Sequence, residues 1–228
     1  MNVIGIDPSL ISTAVCVNGK LFNYCRESDA YGKTGLKKWF KLCEGEISLT
    51  LVKYREFKDY SEGEIIKLKD YDLVTDQIID DIKSNIDPSK PTRVGIEGFS
   101  YSSSAGAIID LVTFSTLLRK KIFDQITEDI IVVAPTTLKK ESCKLTYEPV
   151  DIGKKKPKLR FMNNEGIAGG SFTKREIFLS IVENKEFNDE WFRHCVSVKG
   201  DLLDSSKINK PYEDINDSYI LYKYMLTL

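Results

Sequence analysis

Two short apolar runs, each closing on a carboxylate, constrain this chain more than any other feature. Val3, Ile4 and Ile6 suit a buried strand, yet the run stops at Asp7 and continues into Pro8 and Ser9. Residues 93–100, Arg-Val-Gly-Ile-Glu-Gly-Phe-Ser, repeat the pattern and stop at Glu97. Asp-Pro-Ser makes a turn on its own, so either acid taken alone is explained as a turn former. Two strands of this kind in one mixed sheet can end side by side at the same edge, and their acids then meet.

The order of elements follows from the hydrophobic periods. Residues 2–7, 11–17 and 20–26 read as strands, the last two joined by the turn pair Asn18-Gly19. The stretch 28–60 is Gly- and Lys-rich at first and then contains a strand-like run from Glu46 to Phe57. Apolar residues at helical spacing occupy 62–86, and a long helix opening with small residues is expected over 104–126. A buried strand over 129–140 leaves through Ala134-Pro135 into a helix start. Thr173 and Glu176 stand in capping-box spacing at the head of a helix over 172–182, and an amphipathic helix covers 212–226. Strands first and strand–helix alternation afterwards predict an α/β fold: a mixed sheet with helices on its faces.

The chain's 228 residues fit a single domain, 1–228, with insertions near 28–60, 141–167 and 184–211. No apolar stretch is long enough to span a membrane, and Met1 leads straight into the first strand, so a cytoplasmic protein without a leader is expected. Five scattered cysteines without a CxxC pair fit free thiols and argue against zinc. The formal net charge of −1 excludes a uniformly basic nucleic-acid coat, so any nucleic acid must be held by a local patch. His194 is the single histidine, and nothing beside it supports a catalytic role.

Asp214 and Asp217 lie three apart on the last helix and so share a face. If they join Asp7 and Glu97, four acids repel one another unless cations bind between them. Mg²⁺ takes oxygen ligands and retained waters, and two such ions about 3.5–4 Å apart can drive phosphodiester cleavage.

The order Gly-Ile-Asp-Pro-Ser, Val-Gly-Ile-Glu-Gly-Phe-Ser, Val-Val-Ala-Pro-Thr-Thr-Leu-Lys-Lys and a C-terminal Asp-x-x-Asp-Ser helix resembles the RuvC family of Holliday-junction resolvases, within the ribonuclease-H-like superfamily. The resemblance covers residues 2–27, 93–140, 168–183 and 212–226. It implies a mixed five-stranded sheet flanked by helices, a homodimer, and paired nicking of branched DNA at a four-way junction. It also implies two Mg²⁺ ions per site, with Mn²⁺ able to substitute. By motif position Asp7, Glu97, Asp214 and Asp217 correspond to the metal-binding acids. Lys139 and Lys174 correspond to lysines near the DNA backbone, and Phe99 and Tyr101 fall in a loop that carries a stacking aromatic residue. Ser9 departs from the family, which has glycine there. The long insertions and the Lys-, Asn- and Ile-rich composition are compatible with a phage or viral member.

The insertion 141–167 brings Lys154, Lys155, Lys156, Lys158 and Arg160 onto an expected hairpin or loop. Placed between two backbone-contacting lysines, it is expected to extend the phosphate-binding surface. On helix 104–126, Ala105, Ala107, Ile108, Leu111, Val112, Ser115 and Leu118 form a stripe that could pair two copies or face the chain's own sheet. Two other functions compete with a nuclease. An actin–hexokinase-type phosphotransferase needs a second phosphate loop that Gly95-Ile96-Glu97-Gly98 and Gly169-Gly170 do not supply. A non-catalytic nucleic-acid-binding protein of the same fold would be expected to lack some of the acids.

Overall fold

Residues 1–31, 37–99, 105–154 and 156–228 are described in the computed structural model. The chain opens as an antiparallel meander of β1 (Asn2–Asp7), β2 (Ser12–Val17) and β3 (Lys20–Arg26). Asn18 and Gly19 adopt φ of 50° and 91°, the left-handed values that a tight hairpin requires. Two short helices, α1 (Glu27–Tyr31) and α2 (Lys37–Leu42), lead to the edge strand β4 (Ser48–Val52). Then α3 (Tyr60–Asn85) crosses to β5 (Thr92–Glu97), and α4 (Ala105–Gln125) crosses to β6 (Ile130–Val133). The sheet order is β4-β3-β2-β1-β5-β6, with β1, β5 and β6 mutually parallel.

This is the mixed, helix-flanked sheet expected from the sequence, with six strands in place of five. The sixth is β4, contributed by the 28–60 insertion and paired parallel to β3. The expected strand over 129–140 ends at Val133, because Ala134 and Pro135 start a helix there, with Ala134 as N-cap and Pro135 in its first turn. That helix, α5 (Pro135–Thr146), takes in the first residues of the expected 141–167 insertion. The remainder forms a small hairpin, β7 (Pro149–Asp151) and β8 (Leu159–Phe161), followed by one turn of 3₁₀ helix over Gly169–Ser171. After α6 (Lys174–Val182), the stretch 184–211 contains two helices, α7 (Glu190–Ser197) and α8 (Lys199–Leu203). The chain ends in α9 (Tyr212–Met225).

Alternation along the strands divides the core in two. Ile4, Ile6, Val94 and Ile96 point to one face and pack against Ile78, Ile79 and Ile82 of α3 and Phe114, Leu118 and Ile122 of α4. Val3, Ala14 and Cys16 point to the other face, beneath α5, α6 and α9. Lys67 pairs with Asp110, and Lys121 with Asp72 and Asp76, so α3 and α4 run parallel. The proposed pairing stripe on α4 is split by this packing. Ser115 and Leu118 are fully buried within the chain's own core, whereas Val112 is exposed, next to Ile109, which lies outside the stripe and is also exposed. His194 is also built into the fold: its Nε2 lies 2.7 Å from the Tyr212 hydroxyl, and its ring stacks on Tyr212 beside Trp191. Among the described residues no helix is long and apolar enough to cross a membrane.

Candidate metal centre

The parallel pairing of β1 with β5 aligns Gly5 with Gly95 and Ile6 with Ile96, so Asp7 and Glu97 follow at the same sheet edge. Both acids share strand parity with the two glycines, and therefore point to the face covered by α9. The glycines let that helix lie against bare backbone. A Cβ at Gly5 would fall 2.1 Å from the Ser218 carbonyl oxygen and 2.4 Å from the Tyr222 nitrogen; one at Gly95 would fall 2.6 Å from Met225 Cγ. Such close approach brings Asp217 of α9 to Asp7 and Glu97.

From the other side, α9 is held by its polar partners. Asn216 accepts a hydrogen bond from Trp191 Nε1 at 3.1 Å, and Asp189 accepts from Tyr219 and Lys223 at 2.8 and 2.6 Å. These bonds fix the helix rotation that aims Asp217 inward.

The result is three carboxylates, Asp7, Glu97 and Asp217, whose nearest oxygens all lie within 4.8 Å of one another. Asp7 and Asp217 are buried, and Asp217 Oδ1 has no hydrogen-bond partner among the described residues. Burial raises Asp7 well above the usual carboxylate range, and the charges of Glu97, Asp214 and Asp217 add to this against the opposing Lys174. Burial likewise pushes Asp217 up to about 7, with Lys174 again opposing. Lys174, the first residue of α6, forms an ion pair with Asp217 and lies 3.7 Å from Glu213. Its own burial disfavours the ammonium, but the charges of Asp217, Asp7 and Glu97 outweigh that and hold its pKa above the usual lysine value. The Thr173–Glu176 capping box expected from the sequence is formed, which anchors the turn carrying Lys174.

Asp214 lies outside this trio but lines the same cleft, of about 710 Å³. Lys210 donates to both of its carboxylate oxygens at 2.7 Å. Burial works against the Lys210 charge, but Asp214 overcomes it and raises the pKa. Lys139 of α5 stands in the cleft wall, as do Arg26 and Asp110. Phe99 lies under the Arg119 guanidinium at 4.7 Å, and Arg119 also reaches the Glu97 carbonyl at 3.4 Å. Tyr101 and Lys155 lie outside the described residues. Lys154, Lys156, Lys158 and Arg160 are exposed on and around the β7–β8 hairpin, outside the acid-lined cleft.

Arg26, Lys210 and Arg119 escaped the sequence reading. Lys210 had a usable signal, since it stands four positions before Asp214, just ahead of the helix. Arg26 and Arg119 reach the cleft and its rim only through the fold.

The donor set fits a hard divalent cation. It consists of three carboxylates from three separate elements, converging on one point, with one oxygen that has no hydrogen-bond partner among the described residues. No family model and no curated protein matches the sequence. Among solved structures, one titled "Thermus thermophilus RuvC structure" aligns with 100% of this chain and 96% of its own, at a TM-score of 0.47 and 12% identity. At that distance, function has to be argued from the cleft itself.

Proposed function

We propose that the protein is a divalent-metal-dependent endonuclease acting on branched DNA, for which a four-way junction is the test case. The observation that carries this reading is the convergence of Asp7, Glu97 and Asp217, with its unsatisfied Asp217 oxygen, on the floor of an open cleft that also contains lysines. Asp7, Glu97 and Asp217 would hold Mg²⁺, or Mn²⁺ in its place, and Asp214, paired with Lys210, is the further acid in the cleft that a second ion would need to draw away from that lysine. When bound, the cations supply Lewis-acid activation of the attacking water and neutralise charge on the leaving oxygen. Lys139, in the cleft wall and free of any ion pair among the described residues, positions the phosphodiester by its charge. Lys174 holds Asp217 in place and moderates repulsion among the acids. Leu138 and Ile177 form part of the apolar lining of the cleft.

The test is nicking of a panel of junction, flap, fork and linear duplex substrates with and without Mg²⁺, with ATP hydrolysis measured alongside. The expected outcome is Mg²⁺-dependent nicking that is strongest on the junction. ATP turnover without nicking would replace this reading with a phosphotransferase.

Paired nicking requires two such sites in a fixed relation, which a two-fold homodimer provides. Of the expected stripe on α4, Val112 remains exposed, next to exposed Ile109. The double variant Ile109→Glu/Val112→Glu is expected to be a folded monomer by light scattering that nicks one strand without paired cutting. A wild type that is monomeric on and off DNA would remove the dimer from the proposal.

A further inference from the structure

Helix α5 separates two clefts. Lys139 faces the acid-lined one, and its sequence neighbour Lys140, about 100° further round the helix, faces another. This second cleft has a volume of about 300 Å³. Lys140 and Lys144 of α5, Arg160 of β8 and the Gly169-Gly170-Ser171 turn all line it. Its lining contains three cations and no acid. Lys140 and Lys144 are one helical turn apart and so share a face. Lys144 is engaged by Glu141, but Lys140 and Arg160 have no ion-pair partner among the described residues.

One wall is bare backbone. Gly169 is buried against α5, and a Cβ there would come within 2.6 Å of Cys143 Cβ. Gly170 is exposed, with ordinary φ, and a Cβ there would approach Lys140 Cε at 3.4 Å. A larger side chain at Gly170 is therefore compatible with the turn but projects beside Lys140 into the cleft. A wall without side chains next to unpaired cations suits close approach of a phosphate.

We infer that this cleft binds the phosphodiester backbone of a second segment of the DNA substrate, away from the scissile phosphate. The inference rests on the nuclease reading and adds to it a second, non-catalytic contact. A polyanion fits better than a single phosphate ion. The cations continue beyond the cleft in sequence through exposed Lys154, Lys156 and Lys158 on the same hairpin, more positive charge than one small ion would neutralise. Since α5 forms a wall of both clefts, a strand held by Lys140 and Arg160 can belong to the same DNA molecule that lies over Lys139.

The test uses full-length protein carrying Asp7→Asn, so that binding is read without cleavage, and a fluorescent four-way junction titrated over a range of salt. Lys140→Ala/Arg160→Ala is expected to lower the log–log salt slope by about 1.8, since each lost phosphate contact removes about 0.9. Gly170→Leu leaves every charge in place and is expected to weaken junction binding by filling the cleft. Lys69→Ala/Lys185→Ala, which removes two exposed lysines outside both clefts, is expected to leave the slope unchanged. Thermal unfolding of each variant verifies that it folds.

The outcomes separate the two claims. An unchanged slope in Lys140→Ala/Arg160→Ala, while protein with Asp7 intact still nicks DNA, overturns the second contact and leaves the nuclease standing. A fallen slope in a protein that nicks no substrate keeps the DNA contact and overturns the nuclease. Competition by inorganic phosphate at constant ionic strength that matches the loss in the double variant would show a small-anion site and also overturn the inference.

Discussion

The acid-lined cleft and the basic hairpin beside it use the same chemistry, charged side chains at close range, in opposite ways. In the cleft the charges come from residues far apart in sequence (7, 97, 174 and 217), and the sheet and α9 bury them against one another. Around the hairpin they come from neighbours in sequence and stand exposed, without ion-pair partners among the described residues. The consequences differ in magnitude. Two charges 4 Å apart interact by about 1 kcal/mol in bulk water and by about 4 kcal/mol at the effective dielectric near a protein surface. Burial first, and then the neighbouring acids, raise the Asp7 and Asp217 carboxyls above their usual range, whereas the exposed hairpin lysines would act on DNA mainly through counterion release. Burial gathers the charges of one region into a cluster, and exposure leaves those of the other solvated.

The sharpest way to break this contrast is to remove one buried acid. Asp7→Asn is expected to lower Mg²⁺-dependent nicking at least about 100-fold, beyond what loss of a supporting partner costs. Junction affinity should stay near the wild-type value if, as proposed, the acid holds metal and does not contact DNA. Normal nicking by the purified variant would remove Asp7 from the centre.

Next in size is the backbone contact that closes the cleft. Gly5→Ala places a methyl group 2.1 Å from the Ser218 carbonyl and forces α9 off β1. The expected cost is about 3 kcal/mol, the upper end for overpacking, read from chemical denaturation. A neutral result would mean that α9 sits further from the sheet and that the acids do not converge.

A third test reads the buried charges directly. Asp7 and Asp217 hold their protons more tightly folded than unfolded, so the native state binds more protons between the two pKa values. In chelator, stability should therefore fall as pH rises from about 4, the usual Asp value, towards the Asp217 value of about 7. Mg²⁺ should flatten this fall by neutralising the ionised cluster, and Asp217→Asn should flatten it without metal. A melting temperature that rises over the same window in chelator would contradict the assigned burial.

The smallest effect belongs to the exposed side. Lys154→Ala/Lys156→Ala/Lys158→Ala should leave stability within about 0.5 kcal/mol of wild type, as surface changes do. It should lower the salt slope of junction binding by less than the maximum of about 2.7 for three contacts. An unchanged slope would make these lysines ordinary solvated charges.

The strands were legible because the sheet's inner strands are buried on both faces, which leaves continuous β-branched runs in the sequence. β1 was expected over 2–7 and is observed there. β4 was visible only as a strand-like run, since an edge strand's pairing depends on the neighbour that receives it. The four acids were legible as two strand ends and one helix face, and all four line one cleft. Their division was not legible: the structure groups Asp7, Glu97 and Asp217 and gives Asp214 to Lys210.

By itself, the sequence determined which residues could be interior, where the acid-tipped strands ended, and that α9 presented two acids on one face. Each of these is a local property of period and residue type. Only the tertiary structure decided which charges meet, because burial and Coulomb energy depend on distances that chain order does not encode. Lys174 and Asp217 are 43 positions apart and form an ion pair. Lys139 and Lys140 are adjacent, yet the helix between them directs one to the acid-lined cleft and the other to the basic one.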